Sequence, residues 1–173
     1  MKIGIISDSH DDIDNVKNAI KIFNSNNVDY VFHAGDYVFP GIVLEFGNLN
    51  NDIKLVGVLG NNDGERVGIA NSFNSISGDL KWDFGEYEIE DLLIGIYHGT
   101  NSILTNSLML GNRYDILIYG HTHKKDTRKI QNTQIFNPGS AHKKLQKDNS
   151  KYGASVIIYD IRQKKWEFFG LNK

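Results

Sequence analysis

The chain has 173 residues, 40% of them apolar and 11% aromatic, with a formal net charge of −2 and no cysteine. That length supports one domain with a real core, spanning 1–173, and the near-neutral charge sets aside the strongly basic proteins that hold polyanions by bulk electrostatics. The absence of cysteine excludes disulfides, thiolate metal sites and cysteine nucleophiles together, so any metal must be held by imidazole, carboxylate, amide or water.

Residues 1–7 form an almost unbroken apolar run of strand length that stops at Asp8-Ser9-His10-Asp11. Such a run suits a strand covered on both faces, and in sheets of that kind ligands sit just beyond the carboxyl ends of the strands. In an extended segment residues i and i+2 point the same way, so Asp8 and His10 can converge on one ion. Ile13, Val16, Ile20 and Phe23 then recur at helical spacing, with Asp12 or Asp14 as the N-cap and the polar cluster 24–27 as the end. A second strand over 28–34 halts at Gly35-Asp36, repeating the first pattern. Pro40 and Gly41 punctuate, 42–49 suits a short helix, and a third strand over 53–59 delivers Gly60-Asn61-Asn62-Asp63-Gly64. Strands and helices alternating at this spacing predict right-handed βαβ units and a mainly parallel sheet.

The stretch 71–78 is polar and carries no periodic signal. Residues 82–89 and 92–97 read as a hairpin about Glu90-Asp91 whose second arm ends at His98-Gly99. A helix over 101–111 is expected to turn Ile103, Leu104, Leu108 and Met109 inward. The strand 114–119 opens onto Gly120-His121-Thr122-His123. Residues 129–136, and 154–159 followed by 166–169, read as antiparallel strands with the turn Asn137-Pro138-Gly139-Ser140 between them. There is no internal repeat, linker or low-complexity tract. No apolar stretch reaches the roughly 18 residues of a membrane span, and no basic and apolar leader precedes the first strand, so the expected location is the cytoplasm.

Each strand exit alone has an ordinary explanation in turn chemistry. Their coincidence is informative: five successive strands end in Asp8/His10, Asp36, Asn61, His98 and His121/His123, which accounts for four of the six histidines. His33 and His142 lie next to these positions in sequence but fit no ligand spacing, and a structural or supporting role is expected of both. Seven donors exceed what one ion needs if positions are to stay open for water and substrate, and they suit two ions with a shared carboxylate.

The ordered series Asp8-Ser9-His10, Gly35-Asp36, Gly60-Asn61-Asn62-Asp63, His98-Gly99 and Gly120-His121-Thr122-His123 resembles the calcineurin-like metallophosphoesterase superfamily, in particular its small archaeal and bacterial phosphodiesterases. The resemblance runs from residue 3 to about Ser140. It implies a four-layer αββα sandwich, with two sheets face to face and helices outside. It implies an ion held by Asp8, His10, Asp36 and His123 and another held by Asp36, Asn61, His98 and His121. The activity implied is phosphodiester hydrolysis by a hydroxide bridging two divalent transition-metal ions. Imidazole donors favour manganese, iron, cobalt, nickel or zinc over magnesium or calcium, and manganese is the first expectation for the two ions.

The chain departs from the family pattern at Asn62, where the superfamily carries a histidine able to protonate the leaving oxygen. An amide cannot serve as a general acid, although it can donate a hydrogen bond to a phosphoryl oxygen. Asn62 and its neighbour Asp63 are therefore the catalytic candidates beside the ligands. Lys143 and Lys144, within the basic segment 124–151, are candidates for binding substrate phosphate. The expected partner is a small phosphoester, which could be a nucleotide; no membrane partner and no strong nucleic-acid binding are expected, and a homo-oligomer is compatible with the sequence. Two other readings share the fold: a nuclease or cyclic-nucleotide phosphodiesterase, and a protein-interaction module like the retromer subunit of the superfamily. P-loop, nucleophile-elbow and dinucleotide motifs are absent from the sequence.

Overall fold

The computed structural model describes residues 1–145 and 153–171. In chain order the elements are β1 (Lys2–Ile6), α1 (Ile13–Ser25), β2 (Tyr30–His33), α2 (Pro40–Glu45), a 3-10 turn (Phe46–Asn48), β3 (Lys54–Gly57), α3 (Arg66–Ser75), β4 (Asp79–Leu80) and β5 (Phe84–Ile89). There follow β6 (Leu92–Tyr97), α4 (Ser102–Leu110), β7 (Ile116–Tyr119), β8 (Lys125–Asp126), β9 (Lys129–Ile130), β10 (Thr133–Pro138), β11 (Ser155–Asp160) and β12 (Lys165–Gly170). One sheet runs β12-β11-β1-β2-β3-β4, and the other β5-β6-β7-β10-β8 with β9 paired to β10. Both sheets are mixed: β1, β2 and β3 are parallel to one another, as are β6, β7 and β10, while β11 runs antiparallel to β1.

Period-two alternation explains the layers. Ile3 and Ile5 point into a core between the sheets, shared with Phe32, Val56, Ile94, Ile96, Ile116, Ile118 and Ile157. The other face of β1 and β2 supplies Ile6 and Val31 to a second core under the helices, filled by Val16, Ile20 and Phe23 of α1. A third, smaller core joins Met109 of α4 to Leu117 and Ile135. The result is the expected sandwich of helices, two sheets and a helix. Asp12 caps α1 by accepting the backbone N–H of Asn15 at 3.2 Å.

Three local expectations need correction. The stretch 71–78 is partly helical, because Ile69, Ser72 and Phe73 bury one face of α3. Ile103 and Leu104 do not point inward: they are 78% and 44% exposed, and the buried face of α4 is Thr105 and Met109. The strands on either side of the 137–140 turn do not pair with each other, since β10 lies parallel to β7 in one sheet and β11 antiparallel to β1 in the other. No described helix is long and apolar enough to cross a membrane.

His33, at the end of β2, is fully buried. Its Nδ1 accepts the Gly35 N–H at 3.2 Å, so the proton sits on Nε2, 2.9 Å from Ser9 Oγ, and the ring stacks on Tyr37 with centroids 4.0 Å apart. Burial, reinforced by the neighbouring His98, pushes this imidazole from an ordinary 6.5 down to about 3. The unfolded chain therefore binds the extra proton between those values, and stability contributed by the neutral ring is lost as pH falls below 6.5. Between pH 7 and 4.5 the chelator-treated protein is expected to lose about 2–3 kcal/mol more stability in urea titrations than its His33→Gln variant, whose amide does not titrate. Equal losses would show that His33 is not the proton acceptor.

Candidate metal centre

The site lies at the carboxyl ends of β1, β2 and β3 in one sheet and of β6 and β7 in the other, so the sandwich rather than a single parallel sheet gathers the donors. The convergence of Asp8 and His10 also differs from the extended i, i+2 geometry expected. Asp8, His10, Asp36, His121 and His123 all have φ between 46° and 64°. Left-handed backbone at non-glycine residues costs roughly 1–2 kcal/mol each, and strain of this kind concentrates at functional sites. The loops are held in place by backbone bonds: Asp8 N–H to the Gly35 carbonyl at 3.0 Å and His10 N–H to the Asp36 carbonyl at 2.9 Å. Gly35 is required twice over, by its φ of 93° and because a Cβ there would stand 2.7 Å from Gly60 N.

Two buried carboxylates lie between imidazoles. Asp36 Oδ2 is 3.3 Å from His98 Nε2 and 3.9 Å from His10 Nε2; Asp8 Oδ1 is 3.2 Å from His123 Nε2 and 4.0 Å from His98 Nε2. Asn61 Oδ1 stands 3.1 Å from His98 Nε2. Ligand atoms of Asp8, His10 and His123, and of Asp8, Asp36 and His98, fall within 4.8 Å of one another as two groups sharing Asp8. His121 is outside both groups, half-buried with its ring 5.2 Å from that of His98. The candidate ligands are thus brought to one place, with His121 at its edge.

These residues fit metal ions on their own chemistry. His98 donates Nδ1–H to the Ala34 carbonyl at 2.7 Å, and His123 donates to the Leu145 carbonyl at 3.0 Å, which turns both Nε2 lone pairs toward oxygens that can only accept. The Nε2 of His10 is buried with no hydrogen-bond partner among the described residues. Acceptors facing acceptors need a cation between them, whether a proton or a metal. Burial and His98 push His121 down, and burial pushes His10 down, keeping both imidazoles neutral donors. Burial opposes charge on Asp36 and His98 as well, but their mutual bond outweighs it: Asp36 lies well below the usual carboxylate range and His98 above its ordinary value.

The remaining candidates lie around this core. Asn62 gives both its backbone N–H and its Nδ2 to the Asp36 carboxylate, at 2.8 and 2.7 Å, so the amide faces a ligand. Asp63 is held by backbone rather than facing the candidate ligands: its carboxylate accepts the backbone N–H groups of Asp36, Tyr37, Val38 and Gly60 at 2.7–3.0 Å. This role was not visible in the sequence. Lys143 and Lys144 are exposed and border a cavity that also contains Asp11, Asp12 and Asp14, so carboxylates interrupt the basic rim; Lys147 and Lys151 lie outside the described residues. His142 sits 3.4 Å from Asp11 and edge-on to His10.

An αββα sandwich with imidazole and carboxylate donors gathered at one mouth defines a phosphoesterase-type fold carrying a candidate metal centre. The chain belongs to the calcineurin-like phosphoesterase superfamily, whose domain model matches residues 1–164. It is 40% identical over 140 residues to the phosphodiesterase MJ0936 of Methanocaldococcus jannaschii, covering 80% of this chain and 83% of that one. It is similar to the solved structure of a novel archaeal phosphodiesterase, with a TM-score of 0.88, 34% identity and coverage of 98% and 99% of the two chains. The Vps29 structure from Cryptosporidium parvum, at 17% identity, TM-score 0.61 and coverage of 96% and 94%, shares the fold alone.

Proposed function

We propose that the chain is a metal-dependent phosphodiesterase, working as one domain over 1–173, that holds two divalent ions. Asp8, His10, Asp36 and His123 would hold one, and Asp36, Asn61, His98 and His121 the other, with manganese the first choice. The observation that carries this reading is the set of Nε2 lone pairs, His10's unpartnered one included, aimed at buried carboxylates. Divalent ions bound there supply Lewis acidity toward phosphoryl oxygens and acidify a water to hydroxide near neutral pH. The protein's part is to fix the imidazole tautomers through Ala34 and Leu145 and to hold Asp36 ionised. The archaeal phosphodiesterase relative supports the diester class, and the filled donor positions favour an enzyme over an interaction module on the same fold.

The test is hydrolysis of bis(4-nitrophenyl) phosphate by protein loaded with manganese, nickel, cobalt or zinc. Activity is expected in at least one metal and is lost in chelator. Inactivity with every metal and phosphoester offered would end the reading.

Asn62 sets the substrate preference. With no histidine at this position, esters whose leaving oxygen needs no proton are cleaved well and alkyl monoesters poorly. Asn62→His is expected to raise alkyl monoester hydrolysis about 10²-fold, the lower end of the range for general acid catalysis. An unchanged steady-state rate would mean that another group protonates the leaving oxygen.

A further inference from the structure

We propose that the cavity of about 410 Å³ beside His121 receives one organic arm of the phosphodiester, and that it selects an uncharged or anionic, hydroxylated or carbonyl-bearing arm of nucleoside size over a cationic one. This rests on the phosphodiesterase reading and adds the substrate class. His121 and Thr122 come from a loop of the candidate metal centre, so the cavity opens at that centre's edge. Thr100 on its wall donates to Asn61 Oδ1 at 3.3 Å, tying that wall to a candidate ligand.

The lining has an apolar floor and unspent polar groups. Met109, 3% exposed, supplies the floor. Among the described residues, neither the Ser102 hydroxyl nor the Asn106 amide is engaged, so both can meet hydroxyls or carbonyls of a ligand. Arg128 is the lining's one cation and no described carboxylate lines it. The guanidinium is oriented by Asp126, 3.0 Å from Nε, and one Nη2 lies 3.5 Å from the Met109 sulfur. Asp126 is itself bound by the Tyr119 hydroxyl at 2.8 Å. The cavity on the opposite, His10 side of the centre differs in size and sign: about 260 Å³, bordered by Asp11, Asp12 and Asp14 as well as His142, Lys143 and Lys144. Pockets that combine an apolar floor with a few convergent polar groups are the usual form of small-molecule sites.

The probes are thymidine 5′-(4-nitrophenyl) phosphate and 4-nitrophenyl phosphorylcholine, assayed on manganese-loaded protein. In each, the bond from phosphorus to the nitrophenyl oxygen breaks, water supplies the new P–O bond, and 4-nitrophenolate and the arm's monoester leave, with the water's protons passing to product and solvent. The wild type is expected to favour the thymidine ester by at least tenfold in kcat/KM. Asn106→Trp, which fills the cavity from an exposed helical position, should cut that preference at least fivefold through a higher KM for the thymidine ester. Arg128→Ala should do so through recovery of the phosphorylcholine ester. Lys21→Trp, on the outer face of α1, should change neither rate. Equal rates on the two esters in the wild type, or a preference unmoved by both cavity variants, overturns the assignment while leaving the phosphodiesterase reading intact. A wild type inert toward both esters and toward bis(4-nitrophenyl) phosphate with manganese, nickel, cobalt and zinc alike overturns that reading too.

Discussion

Replacing Asp36 by asparagine is expected to lower kcat on bis(4-nitrophenyl) phosphate by roughly 10³-fold, about 4 kcal/mol of transition-state stabilisation, and to reduce the metal bound per chain. Two effects add. The carboxylate lies near imidazoles of both proposed ion sets, 3.3 Å from His98 Nε2 and 3.9 Å from His10 Nε2. An amide removes one negative charge where two cations would lie closest together. It also turns one oxygen into an NH2 group against either the Asn62 N–H or the Asn62 Nδ2, both of which now donate to Asp36. Donor against donor in a buried site costs about 1–3 kcal/mol, so part of the loss is structural. Measuring metal content by plasma emission alongside kcat separates the two. A variant that binds two ions per chain and turns over at the wild-type rate would remove Asp36 from the bridging position.

The candidate donor set was legible in the sequence because each donor motif stands at the end of an apolar strand with a small residue beside it, and that local pattern survives without knowledge of how strands pair. The apolar strand runs do supply the core, with Ile3, Ile5, Ile116, Ile118 and Ile157 all buried. What local pattern could not supply was everything set by distant partners. The choice of sheet for β10 and β11 depends on β7 and β1, far away along the chain. Helix α3 carries Gly68, Asn71, Asn74 and Ser75, poor helix formers, and exists because Ile69 and Phe73 pack under it. In α4 the apolar residues outnumber the buried face, so an inward reading of Ile103 and Leu104 was indistinguishable from the true face at Thr105 and Met109. The left-handed backbone at Asp8 and His10 was signalled only by residue types that adopt it more readily than most, and an extended reading of the same residues also brought them together.

Asp63 shows the limit most sharply, and its removal is the largest stability loss expected. The sequence places it in the Gly60-Asn61-Asn62-Asp63 motif as a catalytic candidate, whereas the structure makes it the acceptor for four backbone N–H groups on two loops. Those loops carry Asp36 at φ 61° and Val38 at φ 74°, and a β-branched residue at positive φ is an outlier that needs an external hold. Burial, with the charge of Asp36, holds the Asp63 carboxyl above its ordinary value, against the downward pull of the Gly60, Val38 and Asp36 N–H groups. Asp63→Ala leaves these donors without their acceptor and releases the strained turn, for an expected loss of about 3–5 kcal/mol in urea unfolding. Because Asp36 rides on that turn, metal affinity should fall together with stability even though Asp63 touches no ion. Asp63→Asn, keeping one oxygen, should fall between wild type and alanine in both. If the alanine variant lost activity while keeping wild-type stability and metal content, Asp63 would have to act on substrate directly, and its role as the clamp of the Asp36 loop would be wrong.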